Sequence, residues 1–295
     1  MSRLRAAAVL AGFMGLTLPL MPVQALLVRI SQPAARGFPH WYHRNVCRLL
    51  GIRLHIEGSV PPGPVLLISN HTSWLDIPVL SAVAPVSFVA KSEVSRWPFV
   101  SSLARLQRTV FVDRTKRIAV GDTAHEMARR LAQGDALVLF AEGTSTDGNR
   151  VLPFQSSLFA AAKPVGKARE AVAPGDYPAA VVQSVSIVYA RLHGVPLGRA
   201  DRPLVGWYGD MDMQSHAWEL LKAGPLDVLI RISDPIPLSQ YGSRKDLAEQ
   251  TETVVREGLV RTLRGRSNGE PLATVRQKSG SVRLRRPHRE SETWR

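Results

Sequence analysis

Hydrophobic positions recur along this chain in two registers, and the order of those registers sets the fold class. Val65-Leu66-Leu67-Ile68 and Ala136-Leu137-Val138-Leu139-Phe140 are apolar without interruption, the pattern of strands buried on both faces. Together with other β-rich runs they predict strands at 65–69, 86–90, 109–112, 136–141, 181–189 and 226–233. Helical stretches are predicted at 41–50, 74–82, 97–106, 116–132, 215–222 and 244–263. Short strands alternating with helices predict an α/β fold, a mixed, mostly parallel sheet flanked by helices. No internal repeat or linker interrupts residues 50–265.

The two ends break this pattern in opposite ways. Residues 6–28 carry no charge, and Thr17 and Gln24 are their only polar side chains. About 20 apolar residues are enough to cross a bilayer, whereas Gly12, Gly15, Pro19 and Pro22 favour a kinked, interfacial or re-entrant segment. A cleaved signal peptide is the rival reading, with Ser2-Arg3-Leu4-Arg5 as basic leader and Val23-Gln24-Ala25 as small-x-small site. At the other end, residues 256–295 hold eleven Lys+Arg and four acids. From 267 onward too few apolar residues remain to build a core, so a mostly disordered basic tail is expected. The predicted organisation is an N-terminal membrane-associated segment at 1–40, a catalytic domain at 41–265 and a basic tail at 266–295.

Composition narrows the class. The 295 residues carry 38 Lys+Arg against 24 Asp+Glu, a formal charge of +14, with 45% hydrophobic residues. This excludes a disordered chain and a polytopic membrane protein. The excess charge suits an anionic membrane surface, an acidic protein or nucleic acid. Nucleic acid is not expected as a partner: aromatics are 6%, no recognition motif is evident, and an apolar front segment serves no purpose there. A single cysteine, Cys47, supplies neither an internal disulfide nor a thiolate zinc cluster, which points to a reducing compartment.

Chemistry is concentrated just past strand ends, where open α/β sheets place their sites. Ser69-Asn70-His71-Thr72-Ser73-Trp74-Leu75-Asp76 follows the first buried strand. On an unbroken helix, His71 and Asp76 would stand about 140° apart. With Ser73 as N-cap, His71 instead lies on the entering loop and folds back toward Asp76, a general base with its orienting carboxylate. The competing reading is a capping box, Ser73-x-x-Asp76, that only satisfies helix-end amides. Phe140-Ala141-Glu142-Gly143-Thr144-Ser145 closes a second strand, with Gly143 permitting close backbone approach and Glu142 and Thr144 offering polar contacts. Thr109-Val110-Phe111-Val112-Asp113-Arg114 ends a third in a cation suited to an anionic head group, or to a surface ion pair with a nearby acid.

These segments, in this order, resemble the glycerolipid acyltransferase family that includes 1-acylglycerol-3-phosphate acyltransferases. His71-x-x-x-x-Asp76 looks like its first block, Phe111-Val112-Asp113-Arg114 like its acceptor-binding block and Glu142-Gly143-Thr144 like its third. Val181 to Ser186 is similar to the fourth, with Ser184 where a proline is usual. The resemblance covers roughly residues 45–240. It implies that His71 deprotonates an acceptor hydroxyl, that Asp76 stabilises the imidazolium, and that the hydroxyl attacks an acyl-carrier-protein or coenzyme A thioester without a cofactor or metal. A lysolipid acceptor, acyl carrier protein and an anionic membrane surface are the partners implied. The implied location is a bacterial inner membrane, with the catalytic domain facing the cytoplasm.

Two departures bear on the acceptor. Ala141 and Ser145 stand where the family commonly has proline and arginine, which removes a phosphate contact. Arg150 is placed to compensate or to bind something else. The run Glu142 to Phe154, the form of the first block and Trp207-Tyr208-Gly209-Asp210-Met211 are similar to the branch that acylates lyso-ornithine lipid. Its amine-bearing head group suits acids such as Asp147, Asp210 or Asp212. Lyso-ornithine lipid is therefore the favoured acceptor, with lysophosphatidate, or both in one site, as the alternative. Lys91, just after a strand, is a further candidate anion contact or a solvated lysine. Cys47 lacks a neighbouring histidine and His125 sits in a helical stretch, so neither is expected to act. No Gly-x-Ser-x-Gly elbow or His-x-x-x-His spacing occurs.

Overall fold

The computed structural model describes residues 2–112, 117–162, 180–265, 275–278 and 281–284. The chain opens with α1 (Ser2–Ile30), turns at Ser31 and returns as α2 (Gln32–Leu50). Then follow β1 (Ile52–Glu57), β2 (Val65–Ser69), α3 (Asp76–Val83), β3 (Val86–Lys91), α4 (Val100–Leu106), β4 (Val110–Val112), α5 (Arg117–Ala132) and β5 (Ala136–Phe140). After β6 (Val181–Leu192) come β7 (Val195–Pro196), α6 (Met213–Ala223), β8 (Leu226–Ile232), β9 (Ile236–Pro237) and α7 (Arg244–Leu263). The strands order as β1-β8-β6-β2-β5-β3-β4, with β7 and β9 on β6. Pairing is parallel from β6 through β4, and antiparallel between β6 and β8.

The parallel strands carry the core. All five residues of β2 are buried, because β5 and β6 flank them and helices cover both faces. One apolar layer holds Leu67, Val79, Phe88 and Ile187, the other Leu66, Leu139, Met127 and Leu247. β1 was not among the predicted strands. Its Ile52, Leu54 and Ile56 alternate with Arg53, His55 and Glu57, the signature of a half-solvated edge strand.

α1 is long and apolar enough to cross a membrane, and it continues through Pro19 and Pro22 as one element. Its buried residues, Ala6, Val9, Thr17 and Gln24, include both polar side chains of the apolar stretch. Thr17 Oγ1 lies 2.7 Å from the Tyr42 hydroxyl, and Gln24 Nε2 donates to Ala35 O at 3.0 Å and Leu106 O at 2.9 Å. Leu4, Leu18, Val23, Leu26 and Ile30 are exposed. α2 starts earlier than the predicted 41 because Pro33 falls in its first turn, where a missing N–H costs nothing. The boundary drawn at residue 40 therefore falls inside α2. Within the basic tail, Val275–Lys278 and Ser281–Leu284 pair as an antiparallel two-stranded ribbon.

Candidate active site

The loop after β2 is tied down by the residue before His71. Asn70 Nδ2 donates to Ile187 O at 3.0 Å, and its Oδ1 accepts from Ile187 N at 2.9 Å. The side chain thus continues the ladder between β2 and β6 past the last paired residue, Ser69. Glu142, just beyond β5, holds the next backbone group: its Oε1 accepts from His71 N at 2.8 Å, and Oε2 from Leu152 N at 2.7 Å. From the other side Thr146 N donates to His71 O at 2.9 Å, and Trp207 N to Thr72 O at 2.9 Å. Gly148 allows this crowding. Its φ is +74°, and a Cβ there would lie 3.1 Å from Thr72 Cγ2.

On this support His71 and Asp76 meet. His71 Nδ1 lies 2.7 Å from Asp76 Oδ2. The same oxygen accepts from Thr72 N at 2.7 Å and Ser73 N at 3.1 Å, while Oδ1 accepts from the Tyr189 hydroxyl at 2.7 Å. Asp76 is fully buried, whereas the His71 side chain is 20% exposed. With the carboxylate accepting from Nδ1–H, the Nε2 lone pair is left for other chemistry. The ring is stacked on Phe140, centroids 4.1 Å apart at 16°. Burial and the adjacent Asp76 charge keep the Tyr189 phenol pKa well above its ordinary value, so it remains a donor.

The expected Ser73 N-cap is corrected. α3 begins at Asp76 itself, and Leu75 occupies the cap position. Half of a capping box exists, since Asp76 accepts from Ser73 N, but Ser73 Oγ is buried without a hydrogen-bond partner. The carboxylate that holds His71 thus ties down the amides of the preceding loop, while the first amides of α3, Asp76 N and Ile77 N, donate to Ser73 O and Trp74 O.

The other candidates fall in three groups. Glu142, Gly143, Thr144 and Ser145 follow β5 beside the His71 loop. Glu142 is 2% exposed with both oxygens on backbone amides, so it supports His71 from behind. Burial pushes its carboxyl up to about 7, against the two amide bonds that lower it. Gly143 turns with φ +75°, Thr144 is exposed, and Ser145 Oγ donates to Trp207 O. Lys91 and Arg150 are exposed; Lys91 ends β3 opposite Val112 on β4, also at the carboxyl edge. Arg114 lies outside the described residues. Of the acids proposed for an amine, Asp147 is bonded to Asn149 and Asp212 caps α6, while Asp210 is exposed.

Ser184 donates its N–H to Ser233 Oγ at 2.9 Å, a bond that a proline at this position would lack. His125 is exposed. Cys47 is buried, and burial pushes its thiol up to about 12, far from thiolate reactivity. Sequence reasoning missed Tyr189 and Phe140 as site residues. Neither type carries a spacing signal, since both reach Asp76 and His71 only through strand pairing.

The acyltransferase family model matches residues 51–187. A lyso-ornithine lipid O-acyltransferase of Brucella abortus is 46% identical over 88% of this chain and 95% of its own length. A 1-acyl-sn-glycerol-3-phosphate acyltransferase of Neisseria meningitidis is 36% identical over 72% of this chain and 77% of its own. In fold, the chain resembles the crystal structure of the 1-acyl-sn-glycerophosphate acyltransferase PlsC from Thermotoga maritima, with a TM-score of 0.61 over 92% of this chain and 100% of that one, at 20% identity. With strands, helices and the His71 loop in this arrangement, and relatives at 36–46% identity matched over most of their length, the chain belongs to this acyltransferase family.

Proposed function

We propose that this enzyme transfers a fatty acyl group from an acyl-carrier-protein or coenzyme A thioester to the hydroxyl of a lysolipid, with His71 as general base. The observation that carries the reading is the 2.7 Å contact between His71 Nδ1 and the buried Asp76 carboxylate, which directs the basic Nε2 outward. Nε2 takes the proton of the acceptor hydroxyl as its oxygen attacks the thioester carbonyl. The tetrahedral intermediate collapses with breakage of the carbon–sulfur bond, and the imidazolium returns its proton to the departing thiolate. Asp76 stabilises the imidazolium between these steps. Arg114, Lys91 and Arg150 supply cations for the acceptor or donor, and Thr144 and Ser145 line the same edge. No cofactor or metal enters these steps.

Lyso-ornithine lipid is the favoured acceptor. It is the substrate named for the relative that matches this chain at the higher identity and over more of both chains, and Ser145 leaves one phosphate-binding cation out. Lysophosphatidate is the second reading, favoured by the Neisseria relative and by the anion-suited Arg114. Membrane attachment follows from α1, whose one side packs along the domain while its open side is apolar. Seated on the bilayer by that apolar side, the domain would meet lysolipid hydroxyls at the membrane surface. A bacterial inner membrane, with the domain on the cytoplasmic side beside acyl carrier protein, is the compartment this implies.

Competition between equimolar lyso-ornithine lipid and lysophosphatidate, with each thioester donor in turn, tests the reading. Preferential acylation of the ornithine lipid is expected. Preferential acylation of lysophosphatidate selects the second reading, and transfer to neither contradicts both.

A further inference from the structure

A second charged site lies at the opposite edge of the sheet from His71. There a cavity of about 590 Å3 is lined by Arg36, Arg105, Arg108, Arg129 and Arg130, with Val28 from the end of α1. Asp135 precedes β5, and its carbonyl bonds Val65 N at the start of β2. His71 follows the other end of β2, so about 15 Å of strand separates the two.

The arginines outnumber their carboxylates. Asp135 receives Arg36 at 2.5 Å, Arg108 at 3.1 Å and Arg130, while Glu126 receives Arg129 at 2.6 Å. Among the described residues that line the cavity or pair with its lining, five guanidiniums thus meet two carboxylates. Burial, then the neighbouring Arg130 charge, lowers the Arg108 pKa, as expected where cations crowd. Arg105 is exposed and lies over the Phe111 ring at 5.8 Å. Arg129 is 56% exposed. These two face the opening, whereas Arg108 and Arg130 form the buried floor.

The end of α1 borders this cavity through Val28, and Leu26 and Ile30, about 200° around the same helix, form its exposed apolar side. Chains laid along α1 would bring a polar head to the arginines, whose planar forks match phosphate oxygens. We propose that this cavity binds the phosphate head group of an anionic membrane lipid, at a site separate from the acceptor site, and so sets how the domain sits on the bilayer. The proposal rests on the membrane seating of α1 given above.

The test compares the full chain with its Arg105→Gln/Arg129→Gln variant, which leaves the buried ion pairs intact. Binding to phosphatidylcholine vesicles is measured with and without phosphatidylglycerol. Both proteins should bind neutral vesicles alike, and only the wild type should gain several-fold from phosphatidylglycerol beyond what the shared basic tail provides. An equal gain in both overturns the site. In detergent, short-chain phosphatidylglycerol should raise the Tm of the wild type and not of the variant. An equal rise with inorganic phosphate overturns the lipid assignment in favour of a free phosphate. Loss of acyl-carrier-protein binding in the variant, with the lipid gain retained, makes the cavity a protein-docking site instead. If neither protein binds neutral vesicles, the seating of α1 fails, and the Tm comparison still decides the cavity.

Discussion

The Tyr189 hydroxyl donates to Asp76 Oδ1 at 2.7 Å, on the oxygen that the His71 ring leaves free. Both residues are buried, so the phenol fixes the plane of the carboxylate against which His71 is aligned. Removing it in Tyr189→Phe strands a carboxylate oxygen in the core. A loss of about 2 kcal/mol of stability is expected, with kcat falling about tenfold and KM nearly unchanged. Unchanged kcat would show that Asp76 is held well enough by Thr72 and Ser73 alone.

Asn70 makes the analogous contribution to the loop. In Asn70→Asp, Ile187 O would lose its donor and face a second acceptor. The urea midpoint should drop by an amount equivalent to about 2 kcal/mol, and turnover should fall with it because the His71 backbone shifts. A variant as stable and active as wild type would exclude Asn70 from positioning the loop.

Glu142 makes stability depend on pH in the direction unusual for a carboxylate. Its folded pKa is raised to about 7 from an ordinary 4.5, so the folded state binds more protons than the unfolded state between those values. Its contribution is therefore present below the unfolded pKa and lost as pH rises through the folded one. The stability difference between wild type and Glu142→Gln should shrink from pH 4.5 to 7, with a slope of up to about 1.4 kcal/mol per pH unit. Denaturant titrations of both proteins across this range measure it, and a constant difference would mean that Glu142 titrates normally.

Ser145 ties its loop to Trp207 O, and the family resemblance implies an arginine at its position. Ser145→Arg should raise turnover of lysophosphatidate relative to lyso-ornithine lipid by about tenfold, the value of one charge-assisted hydrogen bond. An unaltered ratio would locate acceptor choice elsewhere.

The parallel core was readable because continuous apolar runs have few other uses, and 65–69 matches β2 residue for residue. The edge strand β1 was missed because its alternation competes with ordinary surface patterning. His71 and Asp76 could be paired from sequence because both fall within one strand-to-helix loop. Tyr189 and Glu142 could not be given their roles, since each comes from a different strand and acquires its partner only when the sheet assembles. The arginine cavity was equally hidden. Its members span residues 36–130, and summed charge does not reveal where cations converge.

The most direct test of the account is the single-turnover rate of acyl transfer by His71→Ala against wild type, in detergent micelles at matched protein folding as judged by Tm. A general base held by a buried carboxylate predicts a loss of about a thousandfold or more, with the Tm little changed. A rate within about tenfold of wild type, in a protein that melts normally, would contradict the assignment of His71 as the base.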